Sequence, residues 1–223
     1  MTLRRWSNQL PNDLECLGFV VHEDDCKHVG VLYHLDDGIA WLCHLGWNWS
    51  LRVERPGAQY FWGKSGLDRV EKRYLAAYFD LVGKANPTNI YYGIDSSGRC
   101  FEDNGDAIPL PLGKGMTCAS FIVNVFKSLQ IPLIDESTWP RGRVQDRDWA
   151  QYVVDQLEND PAVPRDHVEA VKLDIALACR FRPSEVAGAM LSEDPPVSLA
   201  DAERLAQEIM NELTQCLQNE AAA

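Results

Sequence analysis

The stretch HVGVLYHLDDGIAWLCHLGW, residues 28–47, decides the fold. Its first eight residues are mostly β-branched, aromatic or aliphatic. Asp36-Asp37-Gly38 is a turn signal in which Gly38 can supply positive φ, and residues 39–47 resume the strand pattern. This predicts a β-hairpin. An apolar run at 17–21 (LGFVV), set off by the acidic segment 22–27, predicts a strand before it. Alternation along the strands puts His28, Gly30, Leu32 and His34 on one face of the first hairpin strand, and Ala40, Leu42, His44 and Gly46 on one face of the second. If pairing brings those faces together, His28 and His44 share one side of the sheet. Gly30 removes a side chain there and is expected to let a helix terminus approach.

Outward from the hairpin, Leu67, Val70, Tyr74, Leu75, Tyr78, Phe79 and Val82 recur at spacings of three and four, which predicts a helix within 65–84. Residues 90–95 (IYYGID) read as another strand, ended by a turn at Ser96-Ser97-Gly98. A polar loop with Gly105, Gly113 and Gly115 then leads into a second helix over about 117–130. From residue 144 onward the pattern is helical only, at 148–158, 165–181, 183–191 and 199–218, with prolines between and a short alanine tail. The expectation is an α+β protein: a core over 1–143 with a small antiparallel sheet, followed by a helical C-terminal region over 144–223.

The helix at 117–130 carries the chemistry. Thr117 is a natural N-cap, and Cys118, Phe121, Ile122, Val125, Phe126 and Leu129 form one apolar stripe with the thiol at its top. Free amide groups and the helix dipole at such an end are expected to lower a thiol pKa from about 8.5 toward neutrality, and to donate to an oxyanion. A buried structural cysteine would give the same stripe, so a nucleophile also needs a base. His28 fits that role, with His44 to orient its ring. His22 and His34 read as satisfied or solvent-facing side chains.

At this point the residues resemble a family. His28-Val-Gly-Val-Leu-Tyr-His-Leu-Asp-Asp-Gly38, then Cys43-His44-Leu45-Gly46-Trp47, and far downstream Gly115-Met-Thr-Cys118-Ala-Ser-Phe121, are similar to the circularly permuted branch of the NlpC-type papain-like hydrolases, which includes relatives of lecithin:retinol acyltransferase. The chain differs from the acyltransferase members in a longer His28–His44 interval and in lacking their Asn-Cys pair. The resemblance covers about residues 17–130. It implies a papain-like fold in which the sheet packs on the nucleophile helix, with Cys118 as nucleophile, His28 as base and His44 as third member. It also implies a covalent thioacyl intermediate, formed from an amide or ester in a peptide, protein or cell-wall-type substrate.

Other features bound the reading. A net charge of −12 repels phosphate backbones and anionic headgroups, so nucleic acid and membranes are not expected partners. Seven cysteines at irregular positions and no apolar run after Arg4-Arg5 point to a reducing compartment and cytoplasmic synthesis, with export by a signal-independent system left open. Cys26, His28, Cys43 and His44 could suggest zinc, but the adjacent Cys43 and His44 point to opposite strand faces, so no metal and no cofactor is expected. Of the crowded tryptophans, Trp41 and Trp47 fall opposite His44, which leaves Trp49 and Trp62, with Gly30 and Thr117, as substrate-side candidates. The helical C-terminus could cap the core, line a cleft or bind a protein partner. The reading from another class is a non-catalytic acidic protein, an inhibitor or immunity-type factor, that keeps the fold without the chemistry.

Overall fold

The computed structural model describes residues 3–95 and 98–222; Ser96 and Ser97 of the expected turn and the last residue of the alanine tail lie outside them. Six strands, β1 (Arg4–Arg5), β2 (Leu17–His22), β3 (Val29–His34), β4 (Ala40–Trp47), β5 (Ser50–Glu54) and β6 (Tyr60–Lys64), form one antiparallel sheet in the order β1-β6-β2-β3-β4-β5. Six α-helices accompany it: α1 (Arg69–Ala85), α2 (Cys118–Ser128), α3 (Arg147–Asn159), α4 (Arg165–Asp174), α5 (Pro183–Leu191) and α6 (Leu199–Ala221). The protein is α+β, and no helix among the described residues is long and apolar enough to cross a membrane.

The hairpin forms as its pattern dictates. Val31 pairs with Cys43, Leu32 with Leu42 and Tyr33 with Trp41, and Gly38 takes φ +68° in the turn. Alternation gives the sheet two unlike faces. Phe19, Val21, Val29, Val31, Tyr33, Cys43, Leu45 and Phe61 point to the side on which α1 and α2 pack. Val20, Leu32, Ala40, Leu42, Tyr60 and Trp62 point to the other, where Trp6 and Leu14 of the N-terminal segment cover them. Helix α1 starts on a capping box between Asp68 and Glu71. Helix α2 starts on another, in which the Thr117 hydroxyl accepts from the Ser120 N–H at 3.1 Å and the Ser120 hydroxyl accepts from the Thr117 N–H at 2.8 Å.

Burial of α2 exceeds its expected single stripe, for every residue from Cys118 to Phe126 is buried. The polar ones are satisfied locally: Asn124 donates to the Ser120 carbonyl and Ser128 to that of Asn124.

Two expectations need correction. Residues 90–95 are not a strand. They make a single parallel bridge, Tyr92 to Met116, because Gly93 and Gly115 let two irregular segments run backbone against backbone; a Cβ on Gly93 would sit 2.8 Å from the Gly115 nitrogen. The helix expected over 165–181 ends at Asp174, followed by a short 3-10 turn at Ile175–Leu177, and residues 178–182 have no regular structure. Arg182, which precedes Pro183, takes extended backbone as the N-cap of α5.

The C-terminal region, which contains no strand among its described residues, packs on the core. Val186, Ala187, Ala189 and Met190 of α5 are wholly buried in the same cluster as β2, β3 and α2, and α6 seals it with Ala202, Ile209 and Leu213. Helices α3 and α4 and the segment around Ile94 form a separate, smaller cluster.

Candidate active site

Helix α2 points its N-terminus at the end of the sheet where the pairing of β3 with β4 stops; the last paired residues are Val31 and Cys43. The Val29 N–H therefore has no β4 partner. It turns to the Cys118 sulfur, which also faces the N–H groups of Ala119 and of Cys118 itself. These donors and the nearby Arg180 charge favour the thiolate, but burial of the sulfur outweighs them and pushes the Cys118 thiol up. The expected lowering of this thiol is thus overturned. The helix end acts as foreseen, while tertiary packing removes the water that a thiolate needs.

His28 stands one residue before β3, at the same end of the sheet. Its Nε2 lies 2.7 Å from Nδ1 of His44 on β4, and Nε2 of His44 lies 3.1 Å from Oε1 of Glu54 on β5. A carboxylate oxygen can only accept, so His44 carries its proton on Nε2 and presents a lone pair at Nδ1. That lone pair accepts the Nε2–H of His28, which leaves the bare nitrogen of His28 at Nδ1. The relay thereby selects the tautomer a general base requires. Among the described residues Nδ1 of His28 makes no hydrogen bond, and none links Cys118 to either histidine. Tyr60 packs beside both rings at 6.3 Å, and its hydroxyl is pushed up to about 12, mainly by burial and in part by Glu54 and Cys118.

The two histidines come together as the strand parity required, but Gly30 plays a different part from the one expected. Its missing side chain faces Leu42, Val20 and the Cβ of His44, the last at 3.0 Å, on the side of the sheet away from α2. Gly30 makes room for Leu42 and the Cβ of His44 and not for the helix. Glu54 was missed altogether. It belongs to a five-residue strand, SLRVE, whose mixed polarity hid it, and its partnership with His44 depends on the β4–β5 register, in which His44 pairs with Arg52 and Leu42 with Glu54.

Burial and the adjacent His44 push His28 down to about 3, and burial also lowers His44. Both rings are neutral at neutral pH. The unfolded chain takes up the proton near pH 6.5 and the folded one only near 3, so stability falls as the pH drops through that window. Replacement of His28 by glutamine should spare the protein this loss. Between about pH 7 and pH 4 the wild type should lose up to about 3 kcal/mol more than the variant in urea titrations. Equal losses would mean that His28 protonates freely in the folded state.

Above Cys118 opens a cavity of about 710 Å³, lined by Thr117, Trp47, Tyr92, Trp149 and Arg180 among others. Thr117 lines this cavity, and Trp49 and Trp62 do not. Trp62 is buried on the opposite sheet face beneath the Arg4 guanidinium, and Trp49 opens onto another cavity, of about 410 Å³, with Tyr91 and Leu110. Trp47 lines the site because α2 docks on the face opposite His44, the face that alternation assigns to Trp47. Its ring lies 4.3 Å from Tyr92, and its indole N–H donates to Asp160. The turn that delivers His28 forms the rim: Asp25 and Cys26 both adopt left-handed backbone, at φ +49° and +54°. Such residues persist only where their surroundings enforce them.

No family model, no curated protein and no solved structure matches this chain, so the site is defined by its own geometry.

Proposed function

We propose that the protein is a cysteine hydrolase or acyl transferase of papain-like, permuted NlpC type, acting through Cys118, His28 and His44, with Glu54 as a fourth, positioning member. The observation that carries this reading is the relay from Glu54 through His44 to His28, which leaves Nδ1 of His28 unprotonated at the sheet end where α2 presents Cys118. With both groups neutral at rest, the chemistry runs by general base catalysis and not through a preformed ion pair. His28 takes the thiol proton as sulfur bonds to the substrate carbonyl carbon. The oxygen gains negative charge facing the Cys118 and Ala119 amides. The same proton passes to the leaving nitrogen or oxygen as its bond to carbon breaks, giving a thioester. Water or an acceptor nucleophile then attacks the thioester, His28 removes its proton, and sulfur recovers one as it leaves.

The test is acyl-enzyme formation with an activated acetyl ester, followed by intact mass and peptide mapping. One acetyl group should appear on Cys118 and be lost on standing, while Cys118→Ala should stay unmodified and His28→Ala should acylate at least about tenfold more slowly. Acetylation spread over Cys16 and Cys216, with Cys118 untouched, would leave the acidic, non-catalytic interaction protein as the better reading. Which amide or ester is cut, and whether a protein partner docks on α6, is a matter for substrates offered to the same assay.

A further inference from the structure

Two arginines, Arg180 and Arg182, line the Cys118 cavity although the chain as a whole is acidic. Asp146, itself buried, accepts from Arg180 Nη1 at 2.8 Å and Arg182 Nε at 3.0 Å, and lies 2.8 Å from Arg143 Nε. Arg143 also pairs with the buried Glu185 at 2.7 Å. Glu203 lies 3.9 Å from Arg143 Nη1, so three guanidinium groups are held by three carboxylates, of which Asp146 alone contacts Arg180. Arg180 is the cavity-lining member that stacks on an aromatic ring: its guanidinium lies 3.7 Å over Trp149, its side chain is 16% exposed, Nη1 bonds to Asp146, and its buried Nε has no hydrogen-bond partner among the described residues. At the rim Asp24 is held by Lys27 at 3.0 Å, and Asp25 is exposed to water.

We propose that this cavity selects an acyl donor bearing a carboxylate, which Arg180 binds while Trp47, Tyr92 and Trp149 enclose the apolar part. Arg180 is then a specificity-determining residue, supplied by the segment between α4 and α5. The stacked ring and the Asp146 contact hold the guanidinium in one orientation, so little side-chain entropy is lost on binding. A charge-assisted bond in a partly dry pocket is stronger than one at the surface. This deepens the thiol-hydrolase reading and rests on it for the identity of the acyl donor.

The test compares two alkylating agents of similar size, iodoacetate and iodoacetamide, in each of which the thiolate displaces iodide from carbon; only the first carries a carboxylate. The ratio of their rates at Cys118 should exceed the ratio at Cys16 and Cys216 of the same molecule, which report the general acidic field, by about fivefold or more. The excess should vanish in Arg180→Gln, persist in Arg180→Lys, and shrink toward the reference cysteines as sodium chloride is raised in the wild type. A ratio at Cys118 equal to theirs, or insensitive both to salt and to Arg180→Gln, overturns the proposal. The salt series needs no variant and stands even if Arg180→Gln fails to fold. The ratio is independent of whether Cys118 ever forms a thioester, so failure here and failure of the hydrolase reading are distinguishable.

Discussion

Alkylation of Cys118 by iodoacetamide at neutral pH should fall about a hundredfold when His28 is replaced by alanine, the magnitude expected for loss of a positioned general base. Burial raises the thiol and lowers His28, so neither group is charged in the resting protein. Labelling of the wild type should therefore be slow in mild acid and increase as the pH rises. A helix N-terminus acting alone would give fast labelling in mild acid and a flat profile above it. The comparison is internal, since Cys26, buried and pushed up to about 12, should stay unlabelled in the same digest. His44→Ala and Glu54→Gln should each weaken the His28 effect, because each frees the proton to move to Nδ1 and block the basic nitrogen. A profile identical in all four proteins would show that the imidazole relay and the thiol do not act together.

The other large effect is on folding. Residues 1–143, the piece that the change from mixed to purely helical patterning marks off, should not fold alone. Deleting residues 144–223 strips Val186, Met190, Val197, Ile209 and Leu213 from the main cluster, all of them buried. At about 1.5–3 kcal/mol per fully buried side chain, their loss is on the order of 10 kcal/mol, as large as the whole stability of a typical domain. It also removes Glu185, whose carboxylate pairs with Arg143, and Glu212, which accepts the Leu3 N–H at 2.7 Å. Circular dichroism and proton NMR of the truncated chain should show no cooperative thermal transition and no upfield methyl signals. A cooperative melt would mean that the sheet and α1–α2 are self-sufficient and that α5–α6 is an appendage.

The sequence determined by itself what rests on neighbours along the chain. The Gly38 turn, the hairpin around it, the capped starts of α1 and α2, and the parity that lets His28 and His44 meet all derive from periods of 2 and 3.6 and from turn or cap residues a few positions apart. Cys118 at the top of α2 is such a local fact.

Tertiary structure decided what depends on partners far away in sequence. Two short strands at 50–54 and 60–64 escaped because five residues are too few to establish a period of two, and with the first went Glu54, which only the β4–β5 register brings to His44. Which sheet face α2 covers could not be read from alternation, which sorts side chains into two sets without saying which set meets the helix. That choice put Gly30, Trp62 and the His44 ring on the face away from α2 and brought Trp47 to the Cys118 cavity. The ionisation of Cys118 was likewise settled at long range. The helix end alone favours a thiolate, but desolvation by everything packed around the sulfur is the larger effect, and desolvation is a property of the folded surroundings that no local pattern contains.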